Sequence, residues 1–172
     1  MSLTTTQPVS VPPLGIFSAD GAASFQVLLQ DTDRVFYRRE RQATSDQLAV
    51  LVVLPAVEHP ARAILDRLAH EYELRDELDR AWAVRPLQLI REAGRTMLVL
   101  DDPGGESLDG YLGRPMDVDQ FLRLAIGLAS ALHGLHKRGL IHKDIKPTNI
   151  LYSSVSGRVW LCLLYTSPSP RD

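Results

Sequence analysis

The stretch that decides how the chain is read is "IHKDIKPTNIL", Ile141 to Leu151. His142, Asp144, Lys146 and Asn149 stand in it at fixed offsets, and Pro147 breaks regular structure between them. Just upstream, Phe121, Leu124, Ala125, Leu128, Ala131, Leu132 and Leu135 recur at helical spacing. Lys137 and Arg138 fall in the last turn of that helix and Gly139 follows, so a basic end and a left-handed cap are expected there. The loop is therefore delivered by a long amphipathic helix.

Further upstream, "DPGGE", Asp102 to Glu106, interrupts regular structure and reads as a boundary between two lobes. Before it, "RPLQLIRE" and "TMLVLD" are strand candidates around a turn at Ala93 to Arg95. Ile64, Leu68, Tyr72 and Leu78 fit an amphipathic helix from Pro60 to about Ala83. Glu71 lies on its apolar stripe, where it either pairs with Arg75 one turn on or meets a buried cation. Three β-rich runs come first, "ASFQVLLQ", "RVFYRRER" and "LAVLVVLP", with Asp31 to Asp33 as the first turn and a small antiparallel sheet as the product. The Thr-, Ser- and Pro-rich residues 1–13 are expected to be disordered.

Composition closes off several function classes. At 45% apolar and 23% charged the 172 residues are globular in character, and a net charge of -2 offers no electrostatic footprint for nucleic acid. Arg38, Arg39 and Arg41 alternate with Glu40 and read as a solvated strand face. The longest apolar run, Leu48 to Val57, is too short to span a membrane and contains Pro55. No secretory leader is visible in the first residues, so a cytoplasmic site is the expectation. Cys162 is the sole cysteine, which leaves no disulfide framework. His133 and His136 share a helix face but lack a third ligand, so surface histidines are the simpler reading.

Sheet, helix, two strands, glycine-containing hinge, long helix and "HKDIKPTN" follow the order of a protein kinase, and the chain resembles that family from about Leu14 to Leu161. The phrases "LAHEYELRDELD" and "LVLDDPGGESL" are similar to the N-terminal kinase-like domain of large bacterial signalling proteins, where it precedes an ATPase-like module and a sensor histidine kinase. The resemblance implies an α+β, protein-kinase-like fold, with a complete small N-lobe over 14–102 and a hinge and incomplete helical C-lobe over 103–161. It implies phosphoryl transfer from ATP with Mg2+ to protein hydroxyls, and a protein substrate or a signalling partner domain. By the same resemblance Asp144 would deprotonate the acceptor, Lys146 would touch the transferred phosphate and Asn149 would hold magnesium. His142 would brace the loop. Asp101 in the hinge and Glu71 on the first helix would belong to the nucleotide site. Lys143 stands where many members carry an Arg that pairs with a phosphorylated loop, and lacks its bidentate fork.

The pattern also has gaps. No glycine lies between Gly21 and Gly94, so the phosphate-covering loop of the family is missing, and Asp31 and Asp33 stand in its turn, where they would repel a triphosphate. No lysine precedes Lys137, and the third-strand lysine position falls on Val53, or on Val52 if the register slips. The hinge alignment places Pro103, which has no N–H, where a purine donor is expected. After "VWL", where a metal-binding D-F-G belongs, the sequence reads "CLLYTSPSPRD", which is similar to the translation of a transposon-end adapter used in sequencing libraries. Residues 162–172 are accordingly expected to be a non-native tail, and the chain a truncated reading. Two functions follow: a Ser/Thr protein kinase, or a kinase-fold regulatory or binding module without turnover.

Overall fold

The computed structural model describes residues 25–39, 49–92, 94–162 and, as backbone, 167–168. The expected disordered N-terminus lies outside these residues, as does the adapter-like tail apart from Cys162 and 167–168.

The first lobe is a five-stranded antiparallel sheet in the order β1-β2-β3-β5-β4, made of β1 (Phe25–Gln30), β2 (Arg34–Arg39), β3 (Val50–Pro55), β4 (Pro86–Glu92) and β5 (Arg95–Asp101). The central strand β3 is apolar throughout because both its faces are buried. Leu51 and Val53 join one core cluster with Leu68, whereas Val50 and Val52 join another on the opposite face. That alternation puts Val53, not Val52, on the helix side of the sheet.

Helix α1 (Arg62–Glu73) packs there, and a single 3-10 turn, Leu74–Asp76, ends it. It is shorter than the expected span to Ala83. Asp79 stops the chain from winding on, because its carboxylate accepts the Ala81 N–H and its carbonyl accepts those of Trp82 and Ala83. Leu78 and Trp82 then turn into the core of the second lobe. Ala83 forms a parallel bridge to Leu161, with Val84 N–H donating to the Leu161 carbonyl at 3.0 Å.

In the second lobe β6 (Glu106–Ser107) leads through a 3-10 turn to helix α2 (Val118–Lys137), followed by β7 (Leu140–Ile141), β8 (Ile150–Tyr152) and β9 (Val159–Leu161). Asp117 caps α2 by accepting the Gln120 N–H at 2.8 Å, and Gly139 adopts φ +71° after its C-terminus, as the helix-stop signals require. A last pair, β10 (Ser167–Pro168), runs antiparallel to β7. The α+β architecture with a sheet-rich small lobe is the one expected from sequence.

Candidate active site

The loop between β7 and β8 is braced from inside. His142 is 2% exposed; its Nε2 lies 3.1 Å from the Cys162 carbonyl oxygen, and its Nδ1 accepts the Asp144 N–H at 3.3 Å. An acceptor facing Nε2 and a donor facing Nδ1 put the proton on Nε2. Burial pushes the imidazole below its usual range, against the opposing effects of these backbone contacts and of Asp144, so the ring is neutral at pH 7. The Pro147–Asn149 3-10 turn then carries Asn149 back under Asp144.

Asn149 Nδ2 donates to the Asp144 carbonyl at 2.8 Å and to its Oδ2 at 2.9 Å, while Lys146 Nζ lies 3.4 Å from the same Oδ2. The structure thus gathers Asp144, Lys146 and Asn149 around one carboxylate. Asn149 is 1% exposed and its Oδ1 is buried with no hydrogen-bond partner. An orphaned buried acceptor costs on the order of 1–3 kcal/mol, and an oxygen-seeking hard cation is the partner that would relieve it. This oxygen fits magnesium.

Opposite the loop stands the β1–β2 turn. Lys146 Nζ donates to Asp31 Oδ2 at 2.9 Å, a contact that joins the two lobes. Burial, the largest single influence, would raise the Asp31 pKa, but the Lys146 hydrogen bond, the Asp33 N–H and the nearby charges of Lys146 and Arg34 together outweigh it and the net shift is downward; the Asp31 hydrogen bond in turn raises Lys146. Asp33 is neutralised separately, by Arg67 at 3.0 Å. The two turn carboxylates are therefore not bare repulsive charges, as the sequence implied. One of them occupies the Lys146 ammonium.

At the other end of the cleft Arg38 reaches from β2 to the hinge. Its Nε and Nη2 donate to the two oxygens of Asp102 at 2.8 and 3.2 Å, and Nη2 also donates to the Gly105 carbonyl at 2.7 Å. Glu106 accepts from Nη1 at 3.3 Å. The reading of Arg38 as part of a solvated face is corrected here: its side chain is 20% exposed and forms a strap. Between the two ends, Leu29, Phe36 and Leu51 of the sheet share one buried cluster with Leu151 and Cys162 of the second lobe.

The hinge offers few donors to a purine. The Asp101 N–H goes to the Arg85 carbonyl, that of Asp102 to Ala49, and that of Gly104 to Asp102 Oδ1, while Pro103 has none. Asp101, expected in the nucleotide site, has its carboxylate on Arg80 at 2.7 Å.

Glu71 is 3% exposed, and its Oε2 faces Arg34 Nη1 at 3.9 Å, with Arg34 itself 4% exposed. Of the two partners left open by the sequence, the buried cation is the one found. Arg75 instead lies over the Tyr72 ring at 4.6 Å and pairs with Asp76. Sequence reasoning missed Arg34 and Arg38, although their spacing carried a signal: with Phe36 they alternate along β2, and a period of two places all three on one face. A cavity of about 450 Å³ lies elsewhere, lined among others by Tyr37, Leu54, Pro60 and Thr96, and includes none of the loop residues.

The family model described as protein kinase domain matches residues 35–162. Among curated relatives, the chain is 33% identical over 88 residues to the peroxide stress-activated histidine kinase mak2 of Schizosaccharomyces pombe, a stretch that covers 46% of this chain and 4% of that protein. It is 30% identical over 96 residues to the serine/threonine-protein kinase pkn2 of Myxococcus xanthus, covering 55% of this chain and 12% of the relative. A third relative, the serine/threonine-protein kinase pkn3 of the same organism, is 28% identical over 116 residues, 66% of this chain and 21% of its own length. The chain thus spans only a small part of each of these proteins.

Proposed function

Since the chain belongs to the protein kinase domain family, we propose that it is a kinase-fold regulatory or binding module, with an assembled catalytic loop and a nucleotide cleft closed by its own side chains. One observation carries this reading: both ends of the cleft are strapped and its middle is filled. Lys146 is held by Asp31, Asp102 is held by Arg38, and Phe36 and Leu51 pack in one cluster with Leu151. Phosphoryl transfer consists of positioning and charge stabilisation, so a cation already neutralised within the protein removes catalysis directly.

The family uses ATP and magnesium, and a second reading keeps that chemistry here. It is favoured by Asn149 Oδ1, which fits the metal. In that reading bound magnesium would offset phosphate charge, Asp144 would take the proton of an acceptor hydroxyl, Lys146 would leave Asp31 for the phosphate, and Asn149 would hold the metal. Glu71 and Asp101 would then contribute to the nucleotide site only indirectly, through Arg34 and the hinge backbone. A partner domain in a larger cytoplasmic signalling protein suits the first reading, and the match to a histidine kinase of which the aligned stretch covers 4% supports that setting.

Incubation with γ-labelled ATP and magnesium distinguishes the two. No label is expected on the chain or on an added acceptor protein. Label that Asp144→Asn abolishes would replace the module by an active kinase.

A further inference from the structure

We infer that Arg34 makes the helix contact that the family takes from a third-strand lysine, and that this charge has moved to the start of β2, fixing α1 against the sheet without a nucleotide. Phe36 sits directly opposite Val53 in the β2–β3 register and Arg34 opposite Pro55. Arg34 is therefore the diagonal neighbour of Val53, about 7–8 Å away across the ladder and on the same face. An arginine is long enough to cover that offset. Val53 is fully buried in the cluster that contains Leu68 of α1, and it carries no charge. Glu71, buried on the same helix, meets Arg34 instead.

The contact has the character of a charge pair rather than a fork. At 3.9 Å it is longer than a charge-assisted hydrogen bond, and Arg34 Nε is buried without a partner. A lysine that touches both phosphate and helix couples the helix to the nucleotide. Arg34 pairs with Glu71 while Lys146 is held by Asp31 and Arg38 by Asp102, so the position of α1 requires no phosphate. Arg34 is thus a positioning residue.

The test uses thermal unfolding of the full chain without nucleotide, so its outcome is separate from whether ATP binds. Arg34→Met and Glu71→Gln are each expected to lower the midpoint by several degrees, because each removes one side of a buried charge pair. Their combination is expected to recover more than half of the loss, and Arg34→Met with Val53→Lys to recover as well, since the new ammonium enters on the same face. Should a single variant fail to fold, the yield of folded protein from the combined variants gives the same comparison. A neutral Arg34→Met, or a double variant no more stable than the worse single, overturns the pairing. Recovery by Glu71→Gln but not by Val53→Lys overturns the transposition.

Discussion

Arg38 and Asp31 both tie the sheet to the second lobe, but they are not of equal weight. Arg38 makes a two-pronged contact with Asp102, whose side chain is only 7% exposed, so its removal leaves a desolvated carboxylate with the Gly104 N–H but no counter-charge from Arg38. Arg38→Ala is expected to cost about 2 kcal/mol by urea unfolding, in the range for hydrogen bonds to charged groups. Lys146 is 39% exposed, and its pair with Asp31 is correspondingly screened. Asp31→Asn should cost less than about 1 kcal/mol. Equal losses would mean that the hinge strap is no stronger than a surface pair. His142 gives a pH dependence of definite sign. Its folded pKa is depressed, so the native state binds fewer protons than the unfolded one; the stability it contributes is complete above the ordinary value of 6.5 and is lost as pH falls below it. The unfolding free energy from urea titrations should decline as pH falls below 6.5 with a component of up to about 1.4 kcal/mol per pH unit, and His142→Gln should remove that component.

At the scale of elements, the five strands of the first sheet and both helices were legible, the helices from their period, as in the stripe that became Val118–Lys137, and β3 as a short apolar run, whereas the two- and three-residue strands of the second lobe were too short to carry a pattern. The end of α1 was not, since Leu78 and Trp82 continue its apolar pattern while serving a different core. Periodicity registers burial, but not which core a residue is buried in. The loop at Ile141 to Leu151 was legible as a motif, whereas Arg34 and Arg38 were not. A charged residue on a strand reads as solvent-facing until its partners from α1 and the hinge are brought alongside. Gly134 in α2 illustrates the same limit. By propensity an alanine there should stabilise the helix by up to about 1 kcal/mol, but the added methyl would overlap the Trp82 indole. Gly134→Ala is expected to be destabilising by about 1–3 kcal/mol net, the usual cost of overpacking. A stabilised variant in denaturant would show that Trp82 does not press on the helix there.

The molecule as a whole combines a loop that brings Asp144, Lys146 and Asn149 together with a buried cluster to which both lobes contribute. Leu29, Phe36 and Leu51 above, and Leu151 and Cys162 below, belong to one buried cluster, and on the proposed reading a purine would have to separate them. The backbone donors of 101, 102 and 104 are already engaged, which removes the hydrogen bonds that would repay the separation. The most direct measurement of this closure is the thermal midpoint of the full chain with and without millimolar magnesium ATP. A ligand at a hundred times its dissociation constant stabilises the folded state by about 2.7 kcal/mol, a shift of several degrees for a chain of this size. The self-closed cleft predicts no shift. A clear rise in the midpoint that Asn149→Ala abolishes would contradict it, and would establish that nucleotide and metal enter between the lobes.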